Sequence, residues 1–252
     1  MPAVTSPRLM VTGSSRGIGA AIAEAAGQQG ARVLINYLSS RDRALEVARA
    51  VESAGGEALV VQGDVREPQS ARRLVDAASK KWGGLDWLVN NAHTPYRHLP
   101  AEQLEWHDYE EQLIGTLRAA VNMTQATMPL LLESPAASIL NVSSITVERP
   151  MTGLAARTAA KAALEGYTRS IACEYSGRVR VNAIAVGWTK TDQFEGLSEA
   201  ILAEVLEGIP GKRFAAPDEI AQAALFLLSS RASFISGLVL PVTGGQGAAS
   251  GG

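Results

Sequence analysis

Short runs of apolar, often β-branched residues alternate with longer amphipathic stretches along nearly the whole chain. The apolar runs fall at Arg8–Thr12, Arg32–Asn36, Ala58–Gln62, Leu85–Asn90, Ser138–Val142, Arg178–Val186 and Leu238–Val242. Most lack period-two alternation, which is the pattern of strands covered on both faces. Between them the spacing predicts helices over Gly17–Gln29, Arg41–Ala54, Pro68–Trp82, Gln103–Leu132, Leu154–Tyr175 and Pro217–Ser229. Strand–helix–strand alternation implies right-handed crossovers and a parallel sheet. The expected architecture is α/β: a doubly wound, seven-stranded parallel sheet in one domain over residues 1–252. Ligands are expected at the carboxyl ends of its strands.

No Pro/Gly/Ser-rich linker divides the chain, and no internal repeat is visible. The longest break in the alternation is Trp188–Arg213, with a short helical pattern at Ser198–Glu207. Inserted over the strand ends, that segment reads as a lid. The Gly-rich tail from Gly244 to Gly252 is expected to fray.

The first strand runs into Thr12-Gly13-Ser14-Ser15-Arg16-Gly17-Ile18-Gly19, which opens the first helix. Glycines at such a place let the backbone turn sharply and approach a pyrophosphate held on the helix N-terminus. The spacing Gly, +4, +6 differs from G-x-G-x-x-G, and a Gly-rich turn alone is weak; its place after the first strand of a βαβ unit strengthens it. An acid ending the second strand would pair with ribose hydroxyls and repel a 2′-phosphate. Here Asn36-Tyr37 stand there instead, followed by Ser39, Ser40 and Arg41, while Arg16 adds a cation from the glycine loop. Arginine suits phosphate through its bidentate fork, so NADP(H) is expected in preference to NAD(H).

Composition narrows the partners. The 252 residues are 46% hydrophobic and 19% charged, with a formal net charge of -2. No global basic field would attract nucleic acid or acidic lipid. Cys173 is the only cysteine, which excludes an internal disulfide and a cysteine-rich metal site. The N-terminus carries no secretory pattern, and no apolar run approaches the ~18 residues of a membrane span. A cytoplasmic protein acting on a small molecule, without nucleic acid, membrane or metal, is the expectation.

The glycine loop, Asp64-Val65, Asn90-Asn91-Ala92, Asn141-Val142-Ser143-Ser144, Val181-Asn182-Ala183-Ile184-Ala185, Arg213-Phe214 and Phe234-Ile235-Ser236-Gly237 resemble the short-chain dehydrogenase/reductase family. The resemblance covers essentially the whole chain in register. Its look is nearest the 3-oxoacyl-carrier-protein reductase and glucose dehydrogenase branches. It implies a Rossmann fold in which Gly13, Ser15, Arg16, Gly17, Ile18 and Gly19 cradle a dinucleotide. Asp64 and Val65 would flank the adenine, and Asn91 and Ala92 would pass the ribose. Thr191, in the run Gly187-Trp188-Thr189-Lys190-Thr191, would reach the carboxamide and phosphate region. A homotetramer or dimer through the Gln103–Leu132 and Leu154–Tyr175 helices is also implied.

In that family a tyrosine exchanges the hydroxyl proton, and a lysine four residues later lowers its pKa and holds the ribose. A serine thirteen residues before the tyrosine bonds the substrate oxygen, and an asparagine after the fourth strand supports a proton relay. By register Lys161 is the lysine and Ser144 the serine. The tyrosine position is Arg157, and the asparagine position is Thr116. His93 stands where glycine is usual, and Val186 where proline is.

An arginine cannot cycle as a general acid near neutral pH, but it can stabilise an oxyanion or grip a carboxylate or phosphate. Arg157 lies one helical turn from Lys161, so each disfavours the other's charge and the lysine pKa should fall. Lys161 could then serve as the acid. His93, Tyr96 and His98 follow the fourth strand and are further candidate acids. Three readings stand open: an NADP(H)-dependent oxidoreductase with an altered proton donor, for which an anionic substrate would fit Arg157; a catalytically inactive cofactor-binding sensor or partner subunit; and a non-redox enzyme on the same scaffold. The intact glycine loop and Lys161 speak against the third.

Overall fold

The protein is described from a computed structural model, over residues 6–194 and 198–247. Seven strands, β1 (Arg8–Val11), β2 (Arg32–Tyr37), β3 (Glu57–Gln62), β4 (Trp87–Asn90), β5 (Ser138–Ser144), β6 (Arg180–Val186) and β7 (Val239–Val242), pair in the order β3-β2-β1-β4-β5-β6-β7. Every pair is parallel. The strand order reverses between β1 and β4, and a crevice opens there at the carboxyl ends. The expected doubly wound, seven-stranded parallel sheet is the observed one.

The helices are α1 (Gly17–Gln28), α2 (Arg41–Ser53), α3 (Pro68–Trp82), α4 (Trp106–Leu113), α5 (Ala119–Glu133), α6 (Ala155–Glu174), α7 (Glu199–Glu207) and α8 (Pro217–Leu228). They cover both faces. Leu9, Val11, Ile35, Leu140 and Ile184 turn to one face, beneath α1, α2 and α8, while Met10, Leu34, Leu88, Ile139 and Val181 turn to the other, beneath α3, α5 and α6. Both faces of a strand therefore need apolar residues, which explains the missing alternation.

The long helix expected over Gln103–Leu132 is interrupted. Ala101–Gln103 forms a separate 3-10 turn, and α4 begins at Trp106 because Glu105 and Asp108 make a capping box. A five-residue π turn, Ile114–Arg118, then joins α4 to α5. Strand β5 runs two residues beyond expectation, to Ser144, and the short helix expected over Ser198–Glu207 is α7. Residues 195–197 of the expected lid and residues 248–252 of the expected frayed tail lie outside the described residues. No described helix is long and apolar enough to cross a membrane.

Arg180 opens β6 with its side chain buried. Its Nη1 donates to the Leu227 carbonyl at 2.6 Å, and its Nη2 to Leu228 at 2.7 Å and Ser229 at 3.1 Å. The last carbonyls of α8 have no intrahelical donors, and this guanidinium satisfies them. Arg180→Met should lower unfolding free energy by about 2–4 kcal/mol, since a charged hydrogen-bond donor to three buried acceptors is lost. Urea denaturation with an unchanged m-value checks it; a loss below about 0.5 kcal/mol would contradict the capping role.

Candidate functional site

The glycine loop is fixed from three sides. Thr12 Oγ1 accepts from the backbone amides of Asn91 at 2.9 Å and Ala92 at 3.0 Å. The Asn91 amide donates back to the carbonyls of Thr12 at 2.9 Å and Gly13 at 3.0 Å. Gly13 and Gly17 hold positive φ, +61° and +58°, which L side chains rarely adopt. Gly19 has no room for a side chain: a Cβ there would stand 2.5 Å from Asn91 Nδ2 and 2.7 Å from the Gly13 carbonyl. Helix α1 follows with Arg16 extended at its N-cap and no side-chain cap, so its first amides are left for an external acceptor. A cradle of this shape fits a dinucleotide pyrophosphate.

Asn36 is where the structure changes the sequence reading. Its side chain is buried, Oδ1 accepting from the Gly13 amide at 3.1 Å and Nδ2 donating to the Gly63 carbonyl at 3.0 Å. The residue joins the glycine loop to the end of β3, and its lack of charge serves the fold. Tyr37 is likewise buried in the core. Any preference for a 2′-phosphate then depends on exposed Arg16, Arg41 and Arg43 around exposed Ser39. Arg43, passed over in the sequence, ion-pairs with Asp192 of the 188–213 segment.

The other residues expected to hold the cofactor differ in how far their side chains are already engaged. The Asp64 carboxylate is engaged by Arg66 at 2.7 Å, which lowers its pKa. Val65 is buried, and its carbonyl accepts from Asn122 at 3.2 Å. Ser15 is half-buried beside the loop glycines, and Ile18 packs on the core. Gly187 closes on Thr243, and Thr189 Oγ1 donates to the Gly187 carbonyl at 3.2 Å. Thr191 lies over Gly17, where a Cβ would meet its Cγ2 at 3.6 Å.

At the other end of the crevice β5 and α6 carry the chemical groups. Ser144, the last residue of β5, is buried and caps the Ile145–Val147 turn. Its Oγ accepts from the Thr146 hydroxyl at 3.1 Å, which leaves its own proton to donate. Lys161 is buried in α6 with Nζ donating to the Val142 carbonyl at 2.6 Å. Thr116 is buried inside the π turn. The turn abuts the loop after β4: a Cβ on Gly115 would fall 1.8 Å from Thr94 Oγ1. That loop carries His93, Tyr96 and His98, and His98 sits against Gly153 on the opposite wall.

Arg157, one turn before Lys161, lays its guanidinium over the Tyr96 ring at 4.5 Å from the centroid. Beyond Lys161 the same face of α6 carries Glu165, which accepts from Ser143 Oγ at 2.7 Å and pairs with Arg169 at 3.5 Å. This i, i+4 row of charges was legible in the sequence beyond its first two members.

Burial pushes the Lys161 ammonium down to about 7, with the Arg157 charge second and Glu165 opposing. The fall follows expectation, but its chief cause is burial rather than the neighbouring cation. His93 is pushed down to about 4: water reaches part of the ring, yet protein packed around it is the largest cause, followed by Lys161 and Arg157. His93 is therefore neutral at pH 7. Burial also lowers Arg157, and Glu165 is raised by burial.

Known proteins place this fold in a family. The family model described as enoyl-(acyl carrier protein) reductase matches residues 13–246. The 3-oxoacyl-[acyl-carrier-protein] reductase FabG of Staphylococcus epidermidis is 32% identical over 238 residues, 94% of this chain and 97% of that protein. A dehydrogenase/reductase from Sinorhizobium meliloti is 29% identical with a TM-score of 0.91, covering 98% of this chain and 97% of that one. A variant of a Serratia marcescens short-chain dehydrogenase/reductase is 30% identical at a TM-score of 0.91, covering 98% and 100%. The chain belongs to the short-chain dehydrogenase/reductase family of oxidoreductases.

Asn36→Asp tests the loop tie. A carboxylate still accepts from the Gly13 amide but faces the Gly63 carbonyl without a proton to donate. Stability should fall by about 1–3 kcal/mol, read by thermal or urea unfolding. An unchanged midpoint would mean that the amide is not holding the loop.

Proposed function

We propose that this chain is an NADP(H)-dependent oxidoreductase acting on a small carbonyl or alcohol, with Lys161 as the proton donor in place of the missing tyrosine. One observation supports this above the others. The cradle of Gly13, Gly17 and Gly19 is complete, and Lys161 is buried at its chemical end with a pKa of about 7. When bound, the nicotinamide supplies or accepts the hydride.

The chain's own residues do the rest. The uncapped N-terminus of α1 would receive the pyrophosphate, and the exposed Arg16, Arg41 and Arg43 would offer their charge to the 2′-phosphate. Ser144 donates its hydroxyl proton in a hydrogen bond to the substrate carbonyl oxygen. As that oxygen gains negative charge, a proton passes to it from the Lys161 ammonium. The amine is then reprotonated from water. The Val142 carbonyl holds Nζ in place, which commits one of its three protons. Arg157 stays charged throughout. The exposed Trp106, stacked on Tyr109 at 6.2 Å, gives α4 an apolar face suited to a homo-oligomer.

Calorimetric titration should show NADPH bound at least a few-fold more tightly than NADH. Arg16→Ala should weaken NADPH selectively, because only that cofactor offers the 2′-phosphate. Equal affinities would remove the preference, and binding without any hydride transfer would favour the inactive sensor.

Protonated Lys161 is required for reduction, so the reduction rate should hold its full value below about pH 7 and decline above it. The reverse oxidation should rise through the same range. Lys161→Met should lose ~10²–10⁴-fold in rate. Lys161→Arg, which stays protonated, should abolish the pH step. The same step surviving in Lys161→Arg would assign it to another group.

A further inference from the structure

Arg157 is charged, crowded and without a counter-ion. Its Nη1 is closed off from water and meets no hydrogen-bond acceptor. Among the described residues no carboxylate pairs with it. Arg8 shows the contrast: its guanidinium meets Asp86 at 2.8 Å and its pKa is raised, while that of Arg157 is lowered. Glu165, on the same face of α6, is already engaged by Ser143 and Arg169. Lys161 adds a second cation one turn away.

An unpaired guanidinium nitrogen in the interior destabilises the protein by itself. Stacking on Tyr96 relieves part of this and also holds the planar fork in one orientation. Such a fork matches a carboxylate by two parallel hydrogen bonds. Four residues of helix rise by about 6 Å, so the α6 positions 157 and 161 are spaced about one turn apart along the axis. A carboxylate and a carbonyl oxygen separated by one or two carbons bridge a gap of that order. Relatives named for 3-oxoacyl groups on acyl carrier protein act on a thioester, which carries no free carboxylate at that distance.

Resting on the oxidoreductase reading above, we propose that the substrate is a small 2-oxo or 3-oxo acid whose carboxylate is received by Arg157 while Ser144 and Lys161 face the reacting carbonyl. Arg157 is a specificity-determining residue and transfers no proton. The anion supplies the charge and the acceptors that the protein withholds from the guanidinium.

Unreactive acids test this without turnover. Oxamate mimics a 2-oxo acid and malonamate a 3-oxo acid; oxamide and malonamide are their neutral counterparts. Each is titrated calorimetrically into wild-type protein with and without NADPH, and the melting temperature is followed in parallel. At least one acid should bind ~10-fold or more tightly than its amide and raise the melting temperature. Arg157→Met should weaken that acid ~10–100-fold, leave NADPH affinity unchanged and raise the melting temperature of the ligand-free protein.

Acids that bind no better than their amides would overturn the proposal, as would an Arg157→Met protein that binds them equally well. A lower melting temperature for ligand-free Arg157→Met would also overturn it, since Arg157 would then be a structural partner of Tyr96. Arg157→Gln repeats the binding comparison if the methionine variant does not fold. Failure of NADPH to bind wild-type protein would refute the oxidoreductase reading alone, because the cofactor-free titrations still decide the carboxylate.

Discussion

The close approach between the β1–α1 loop and the end of β4 sets the geometry at the mouth of the crevice. No side chain fits at Gly19 because Asn91 and the Gly13 carbonyl already occupy the space. Asn91 and Ala92 donate four hydrogen bonds to Thr12 and Gly13 across that contact, and Asn36 ties the loop to β3 from the other side. The start of α1 is thereby held where β1 and β4 part, at the reversal of strand order. A dinucleotide cradle needs this tightness, since backbone amides can meet a pyrophosphate only where no Cβ intervenes.

The chemical end of the crevice is built on a different principle. Its groups lie in a cationic setting, Lys161 buried, Arg157 half-buried and His93 partly reached by water. Lys161, Arg157 and His93 have depressed pKa values, and burial is the first cause for each. Such an environment keeps His93 neutral and brings Lys161 to the range where proton transfer is effective. It cannot neutralise Arg157, whose charge persists at any working pH. A tyrosine would need no counter-ion at this position. An arginine makes the site ask for an anion, and the structure provides none of its own among the described residues.

Stability and site chemistry meet along α6. Its buried face carries Ala160, Leu164 and Ala172 into the packing beside Lys161, Glu165 and Thr168. Thr168 receives the Asn141 amide at 2.9 Å, and Asn141 in turn accepts from Asn90 at 2.8 Å. This polar chain links β4, β5 and α6 inside the core and fixes the register of the helix that carries the charges. Such a buried network specifies one arrangement, with only the Asn90 Oδ1 left over, while Arg157 beside it keeps a buried nitrogen for which the proposed carboxylate would be the acceptor.

Much of the fold was legible without coordinates. Apolar runs covered on both faces, separated by amphipathic helices, admit few arrangements besides a parallel sheet with right-handed crossovers. The glycine loop, Ser144, Lys161 and the anomaly at Arg157 could be read from register alone. What the sequence could not supply was the partner of each polar side chain. Asn36 read as a missing acid at a ribose pocket, yet tertiary contact makes it the bolt between two loops. The π turn at Thr116 was hidden in a smooth helical pattern, because one extra residue in a turn leaves hydrophobic spacing almost unchanged. Tyr96 and Arg157 are 61 positions apart in the chain and meet only through folding. Local patterns determine which elements form; long-range packing alone decides which charges find partners within the protein and which do not.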